Sequence, residues 1–389
     1  MMPSYKLISA DSHVNEVPAT WERVQKKHGD RAPKVIWNPS EGEVGPYLVV
    51  EGWGSSLEGR NRENCAMEYI GMRIGGKGIG SQLGRSSPQA AEFRKNFRFE
   101  DYREAWDPQA RIKAQDRDNV EAEVLYASHL RHFYELSAED EPLFHDICES
   151  YNEWLMDFHD YNSKRYVVLP VLSVLNPEGA AADIRKFAKR GVKGFMMASS
   201  VPVGMNYGDT MFDPIWAAAV ETDTTLAMHT TTGRFKRLSY VYPRAQAFDA
   251  GQLEIQISLA EMVFSGLFDR FPDLRIVSAE FDIGWAAYVW QKNRTFDARG
   301  SLKLAPADYL QRNVWFTFQD DRAGCLTAPY FGHDKFLWSS DFPHGVCTWP
   351  DSSEIYDDQT EGLSEEIKHK IARQNTIDLY KLELGVPTK

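Results

Sequence analysis

The stretch Lys6-Leu7-Ile8-Ser9-Ala10-Asp11-Ser12-His13 starts as a short apolar strand and closes on a carboxylate and an imidazole two residues apart. Side chains two apart on a strand point the same way, so Asp11 and His13 enter a barrel interior as a pair of donors. Seven further apolar runs follow, at residues 122–126, 166–172, 192–197, 225–228, 274–279, 314–318 and 336–338. Between most of them the apolar residues recur three and four apart, which predicts helices over 143–160, 178–190, 212–221, 253–268 and 283–294. Strand alternating with helix indicates parallel βαβ units. Eight such strands close most economically as a (β/α)8 barrel, an α/β fold, with an open doubly wound sheet as the alternative.

The whole chain, 1–389, reads as one barrel domain whose first two strands stand far apart. The gap holds an insertion at about 33–105, with turn-forming clusters (Asn38-Pro39-Ser40, Gly45-Pro46, Gly75 to Gly80) and a β segment at 47–51. Following strand 1, it emerges on the barrel's C-terminal face and forms a lid or an oligomer arm. The glycine run Gly75-Gly76-Lys77-Gly78-Ile79-Gly80 has no preceding strand and no following helix, so it reads as a loop rather than a phosphate cradle.

Composition narrows the function. With 43% hydrophobic and 26% charged residues in 389, the chain is globular, and a net charge of −12 opposes nucleic acid and anionic lipid. Cys65, Cys148, Cys325 and Cys347 form no CxxC pair, which suits reduced thiols in the cytoplasm. No window approaches the length of a membrane span, and the N-terminus lacks a signal-peptide core.

A barrel's reactive end is the C-terminal end of its strands. Besides Asp11 and His13, three strand ends carry donor residues: Met228-His229-Thr230, Ala279-Glu280-Phe281 and Ser340-Asp341-Phe342. Imidazole with carboxylate suits one divalent cation, zinc, manganese or iron, and a second cation would lean on Glu280 and Glu16. His344 is placed to bind substrate or to support Asp341, Arg131 to hold a substrate carboxylate, and Trp285 to line an aromatic pocket.

These residues resemble the amidohydrolase-related metal-dependent proteins, of the superfamily that includes the non-oxidative aromatic decarboxylases. The resemblance covers most of the chain. It rests on Ile8 to His13 with Glu16, Asp107-Pro108 with Arg111 and Asp116, Val120 to Tyr126, Gly191 to Phe195, and Phe212-Asp213-Pro214-Ile215-Trp216. It continues through Met228-His229-Thr230, Ile283-Gly284-Trp285, and the most specific block, Trp338-Ser339-Ser340-Asp341-Phe342-Pro343-His344 with Thr348-Trp349-Pro350. It implies a distorted barrel, a homodimer, metal ligands Asp11, His13, His229 and Asp341, and a proton-moving role for Asp341. The sequence departs from the decarboxylase pattern where Glu280 replaces a histidine, and where the first motif begins with Asp rather than Glu, His or Ala.

The ligand set with carboxylate Glu280 points first to a metal-dependent hydrolase in which metal-activated water attacks an ester, amide, lactone or thioester of a small organic acid, with Asp341 and Glu280 as catalytic groups. The alternative is a metal-dependent decarboxylase of an aromatic or enol acid. A metal-free barrel serving as a binding protein is the third reading.

Overall fold

The computed structural model describes residues 5–50, 62–65, 88–233, 251–295 and 302–384. The glycine run Gly75 to Gly80 and much of the expected insertion lie outside the described residues. The chain forms two compact units, Met1–Val171 with Ser340–Ile355, and Leu172–Ser339 with Tyr356–Lys389.

In the first unit, β1 (Leu7–Val14) pairs in parallel with β5 (Val120–Ala127), and β5 with β6 (Tyr166–Val168). β1 extends beyond the expected 6–10, because its polar second half is as buried as its apolar first half. Three antiparallel strands, β2 (Lys34–Trp37), β3 (Pro46–Val49) and β4 (Arg62–Asn64), form a separate small sheet within the insertion. The helix Pro108–Arg117 starts on Asp107, whose side chain accepts the Ala110 amide at 2.8 Å, and the helix Glu141–Asn162 starts in the same way on Asp140.

Arg111 is the main polar tie in this unit. Its guanidinium, fully buried, pairs with Glu123 on β5 (Nε to Oε2 2.7 Å, Nη2 to Oε1 3.0 Å) and donates to the carbonyls of His13 (2.8 Å) and Phe342 (3.1 Å). It also lies 4.5 Å from the centre of the Phe342 ring. Removing the cation strands a buried carboxylate, so Arg111→Met is expected to cost about 3–5 kcal/mol in urea unfolding. Adding Glu123→Leu should recover a large part of that loss; a single-variant loss under about 1 kcal/mol would contradict the assignment.

Asp118 follows the same helix and accepts from Ser352 N (2.9 Å) and Ser352 Oγ (2.5 Å). Burial pushes its carboxyl up to about 7, with the Glu123 and Asp351 charges adding to the rise and the Ser352 bonds opposing it. A raised acid pKa means that the unfolded chain ionises first. Stability therefore falls as pH rises from about 4 to about 7, and the penalty is constant above that window. Asp118→Asn removes the charge and keeps an acceptor for the Ser352 amide, while its NH2 would donate to Ser352 Oγ. Its stability relative to the parent should be greater at pH 8 than at pH 5, whereas equal slopes in both proteins would refute the shift.

In the second unit, β7 (Gly194–Ala198), β8 (Thr225–His229), β9 (Ile276–Ala279), β10 (Val314–Phe318) and β11 (Phe336–Trp338) pair in parallel in strict chain order. A doubly wound sheet reverses its order at a switch point, and neither parallel sheet does so. All eight expected strands form. The helix expected over 253–268 is instead two, Gly251–Phe264 and Leu267–Arg270, because Gly266 adopts a left-handed φ of 73° between them. Asp321 accepts the amides of Ile283 (2.9 Å), Gly284 (2.6 Å) and Gly324 (2.7 Å), capping two helix starts with one carboxylate. A Cβ on Gly324 would meet Asp321 Oδ2 at 2.5 Å, which is why a glycine stands there.

Cys65, Cys148, Cys325 and Cys347 are buried and outside any disulfide. Among the described residues no helix is long and apolar enough to cross a membrane.

Candidate metal centre and active site

In the first unit the site is built along the polar end of β1. A register shift between Ser9 and Ser12 turns this end, and the segment after β11 is laced along it. Ser340 N donates to Ser9 Oγ (2.8 Å), Asp341 N to the Asp11 carbonyl (3.0 Å) and His13 N to the Phe342 carbonyl (2.7 Å). These bonds set the Asp341 side chain beside His13. Asp341 itself has φ 57°, a left-handed conformation that a non-glycine residue holds only when its surroundings impose it.

His13 Nδ1 lies 3.0 Å from the Ala127 carbonyl, an acceptor only, so Nδ1 carries the proton. The other nitrogen, Nε2, lies 3.3 Å from Asp341 Oδ1 and 3.5 Å from Asp11 Oδ1. A ring nitrogen facing two carboxylate oxygens calls for a positive charge among them. With metal–donor bonds near 2.0–2.2 Å, neighbouring donors in a zinc shell stand about 3–3.5 Å apart, which is the spacing seen. His13, Asp341 and His344 each offer a ligand atom within 4.8 Å of the others'. His344 Nδ1 is 2.7 Å from Asp341 Oδ1, and its ring stacks on His13 at 3.7 Å between centroids.

In the second unit His229 ends β8, fully buried, with Nδ1 2.8 Å from the Thr230 carbonyl and Nε2 3.1 Å from Glu280 Oε2. Glu280 directly follows β9. Its φ is 59°, its amide donates to Thr317 Oγ1 at 2.8 Å, and its side chain is 30% exposed. Both halves repeat one device: a backbone carbonyl holds Nδ1, and Nε2 faces carboxylate oxygen. Buried imidazole and carboxylate donors of this kind fit a borderline or hard divalent cation and not a thiophilic one.

The remaining expectations divide. Arg131 is buried on the turn after β5, where Nη1 contacts the Ser128 carbonyl and lies 3.2 Å from His344 Nε2. Glu16, expected as a further metal contact, turns instead to the backbone after β5. It accepts from His129 N (2.8 Å), His129 Nδ1 (2.7 Å) and Leu130 N (2.9 Å). Burial works against its charge, but the His129 imidazole and these bonds hold its carboxyl below the usual range. Nothing in the sequence marked that pairing, since the partners are 113 residues apart.

Trp285, expected to line an aromatic pocket, stands on the helix Gly284–Asn293. Its indole donates to the Phe281 carbonyl (2.9 Å), meets Phe316 edge-on, and borders an apolar cleft with Leu259, Val263, Phe264 and Leu310.

Parallel strands in this order, with acid and imidazole side chains at their C-terminal ends, define the α/β class to which the (β/α)8 barrels belong. The chain belongs to the amidohydrolase family, whose model matches residues 10–382. It is 23% identical over 248 residues to a 2-amino-3-carboxymuconate-6-semialdehyde decarboxylase of Dictyostelium discoideum, covering 61% of this chain and 67% of that one. It is 24% identical over 297 residues to a gamma-resorcylate decarboxylase of Rhodococcus jostii, covering 70% and 87%. Among solved structures, an amidohydrolase from Mycobacterium avium subsp. paratuberculosis matches with a TM-score of 0.73 at 22% identity, covering 97% of this chain and 99% of that one. A 5-carboxyvanillate decarboxylase from Novosphingobium aromaticivorans, solved with bound manganese, matches with a TM-score of 0.60 at 20% identity, covering 72% and 82%. The fold class is the (β/α)8 barrel, and the chain is an enzyme. The hydrolase reading is overturned: these relatives are named decarboxylases, so the carboxylate at Glu280 does not mark a hydrolase.

Proposed function

We propose that the chain is a metal-dependent non-oxidative decarboxylase of a small aromatic or enol carboxylic acid. The similarity to two decarboxylases, one of an aromatic acid and one of a muconate semialdehyde, supports the reading. The observation that carries it is the His13–Asp341–His344 arrangement, a carboxylate with an imidazole on either side at the C-terminal end of parallel strands.

The ligands in this proposal are Asp11, His13, His229 and Asp341, each at the end of a strand. The assignment rests on each residue's place at a strand end in this fold and on the donor spacing within each unit. One cation is the proposed count, with manganese, zinc or iron suited to the donors. When bound, the cation would supply a Lewis acid that offsets the substrate's negative charge. Asp341, protonated from solvent before each turnover, delivers that proton to the carbon that carries the carboxylate. The carbon–carboxylate bond then breaks, its electron pair returns to the ring or enol system, and carbon dioxide leaves. His344 holds the Asp341 carboxylate in place through this transfer. Glu280, beside His229, stands where the decarboxylases carry an imidazole and handles a second proton position on the substrate.

The test is carbon dioxide release by manganese-loaded protein from hydroxylated benzoic acids, including gamma-resorcylate and 5-carboxyvanillate. Release in step with loss of one acid, stopped by a chelator, is expected. Hydrolysis of esters or thioesters by the same preparation, with no carbon dioxide from any acid, would reject the reading.

A further inference from the structure

Arg131 lies close enough to Asp341's support to act through it rather than on the substrate. Guanidinium groups only donate, so the 3.2 Å approach of Arg131 Nη1 to His344 Nε2 makes Nε2 the acceptor. The ring is thereby held with Nδ1–H toward Asp341 Oδ1, 2.7 Å away, and its face on His13. A ring turned over by half a rotation would present carbon to both partners. Arg131 is itself placed by the turn that carries it. That turn is held on one side by the three bonds from Glu16 to His129 and Leu130, and on another by Ser128 Oγ donating to Asn15 Oδ1. Asn15 and Glu16 directly follow β1, the strand of Asp11 and His13.

We propose that Arg131, seated on the turn clamped by Glu16, is a positioning residue that fixes the ring of His344 and through it the Asp341 carboxylate. This assigns Arg131 a task other than gripping the substrate's carboxylate. Both arrangements use a buried arginine, but only the first engages its Nη1 with His344 and the Ser128 carbonyl.

The first readout is independent of turnover. In protein loaded with zinc, a diamagnetic ion, the His344 Nδ1–H should give a downfield proton resonance protected from solvent exchange, assigned by its loss in His344→Gln. In Arg131→Ala the ring is released and the resonance should broaden or vanish. An unchanged resonance there overturns the proposal. Should Arg131→Ala fail to fold, Glu16→Gln takes its place, with broadening expected and an unmoved signal overturning it.

The second readout rests on the decarboxylase reading. Arg131→Ala should lower kcat about 10- to 100-fold with KM within about threefold, and added guanidinium ion should restore part of the rate. A raised KM at unchanged kcat would overturn the proposal and give Arg131 to the substrate. If no acid is decarboxylated, the decarboxylase reading fails while the His344 resonance still decides the role of Arg131.

Discussion

Asp341→Asn is expected to lower kcat by about 10²- to 10⁴-fold per bound metal, the usual range for losing a positioned proton donor. An amide keeps nearly the same volume and can still accept the His344 Nδ1–H, so the local structure has little reason to change. What it loses is the proton. The left-handed backbone at Asp341 and the bonds from Ser340, Asp341 and His13 that lace it along β1 aim this side chain. Metal content measured on the same sample separates the two effects of the variant, on chemistry and on binding. A rate per bound metal within about threefold of the parent would remove Asp341 from the proton step.

His13→Ala and His229→Ala are each expected to lose most of the bound metal, to below about one tenth of the parent's content after dialysis. Each ring is held by a backbone carbonyl at Nδ1, so Nε2 arrives in place at little cost in order. Removing either ring takes away a donor that the remaining carboxylates cannot supply. The thermal counterpart follows by linkage. Manganese at about 100 times its dissociation constant should stabilise the parent by about 2.7 kcal/mol and neither variant appreciably. Full metal content in either variant would take that histidine out of the ligand set.

The strands were legible because parallel strands buried on both faces read as nearly unbroken apolar runs. β1 shows the limit of that signal. Ser9, Asp11, Ser12 and His13 are as buried as Leu7 and Ile8, yet their polarity breaks the apolar run after Ile8. The same polarity exposed the chemistry, since donors two apart at a strand end invite a ligand reading. Contacts made across long sequence distances left no trace. The Glu16–His129 pair and the approach of Arg131 to His344 depend on where turns come to rest, which periodicity does not encode. Glu280 misled as to the reaction. One carboxylate beside a metal site serves hydrolysis and decarboxylation equally well, so residue type there does not decide the reaction.

Decarboxylation puts a solvent-derived proton on the carbon that loses carbon dioxide, whereas hydrolysis puts water oxygen into the organic product. Turnover of an accepted acid by metal-loaded protein in D2O, with a parallel run in 18O-water, separates the two directly by mass spectrometry of the organic product. One deuterium at the carbon that lost its carboxylate, one carbon dioxide per product and no solvent oxygen in the product are expected. Solvent oxygen in the organic product without release of carbon dioxide would contradict the decarboxylase proposal.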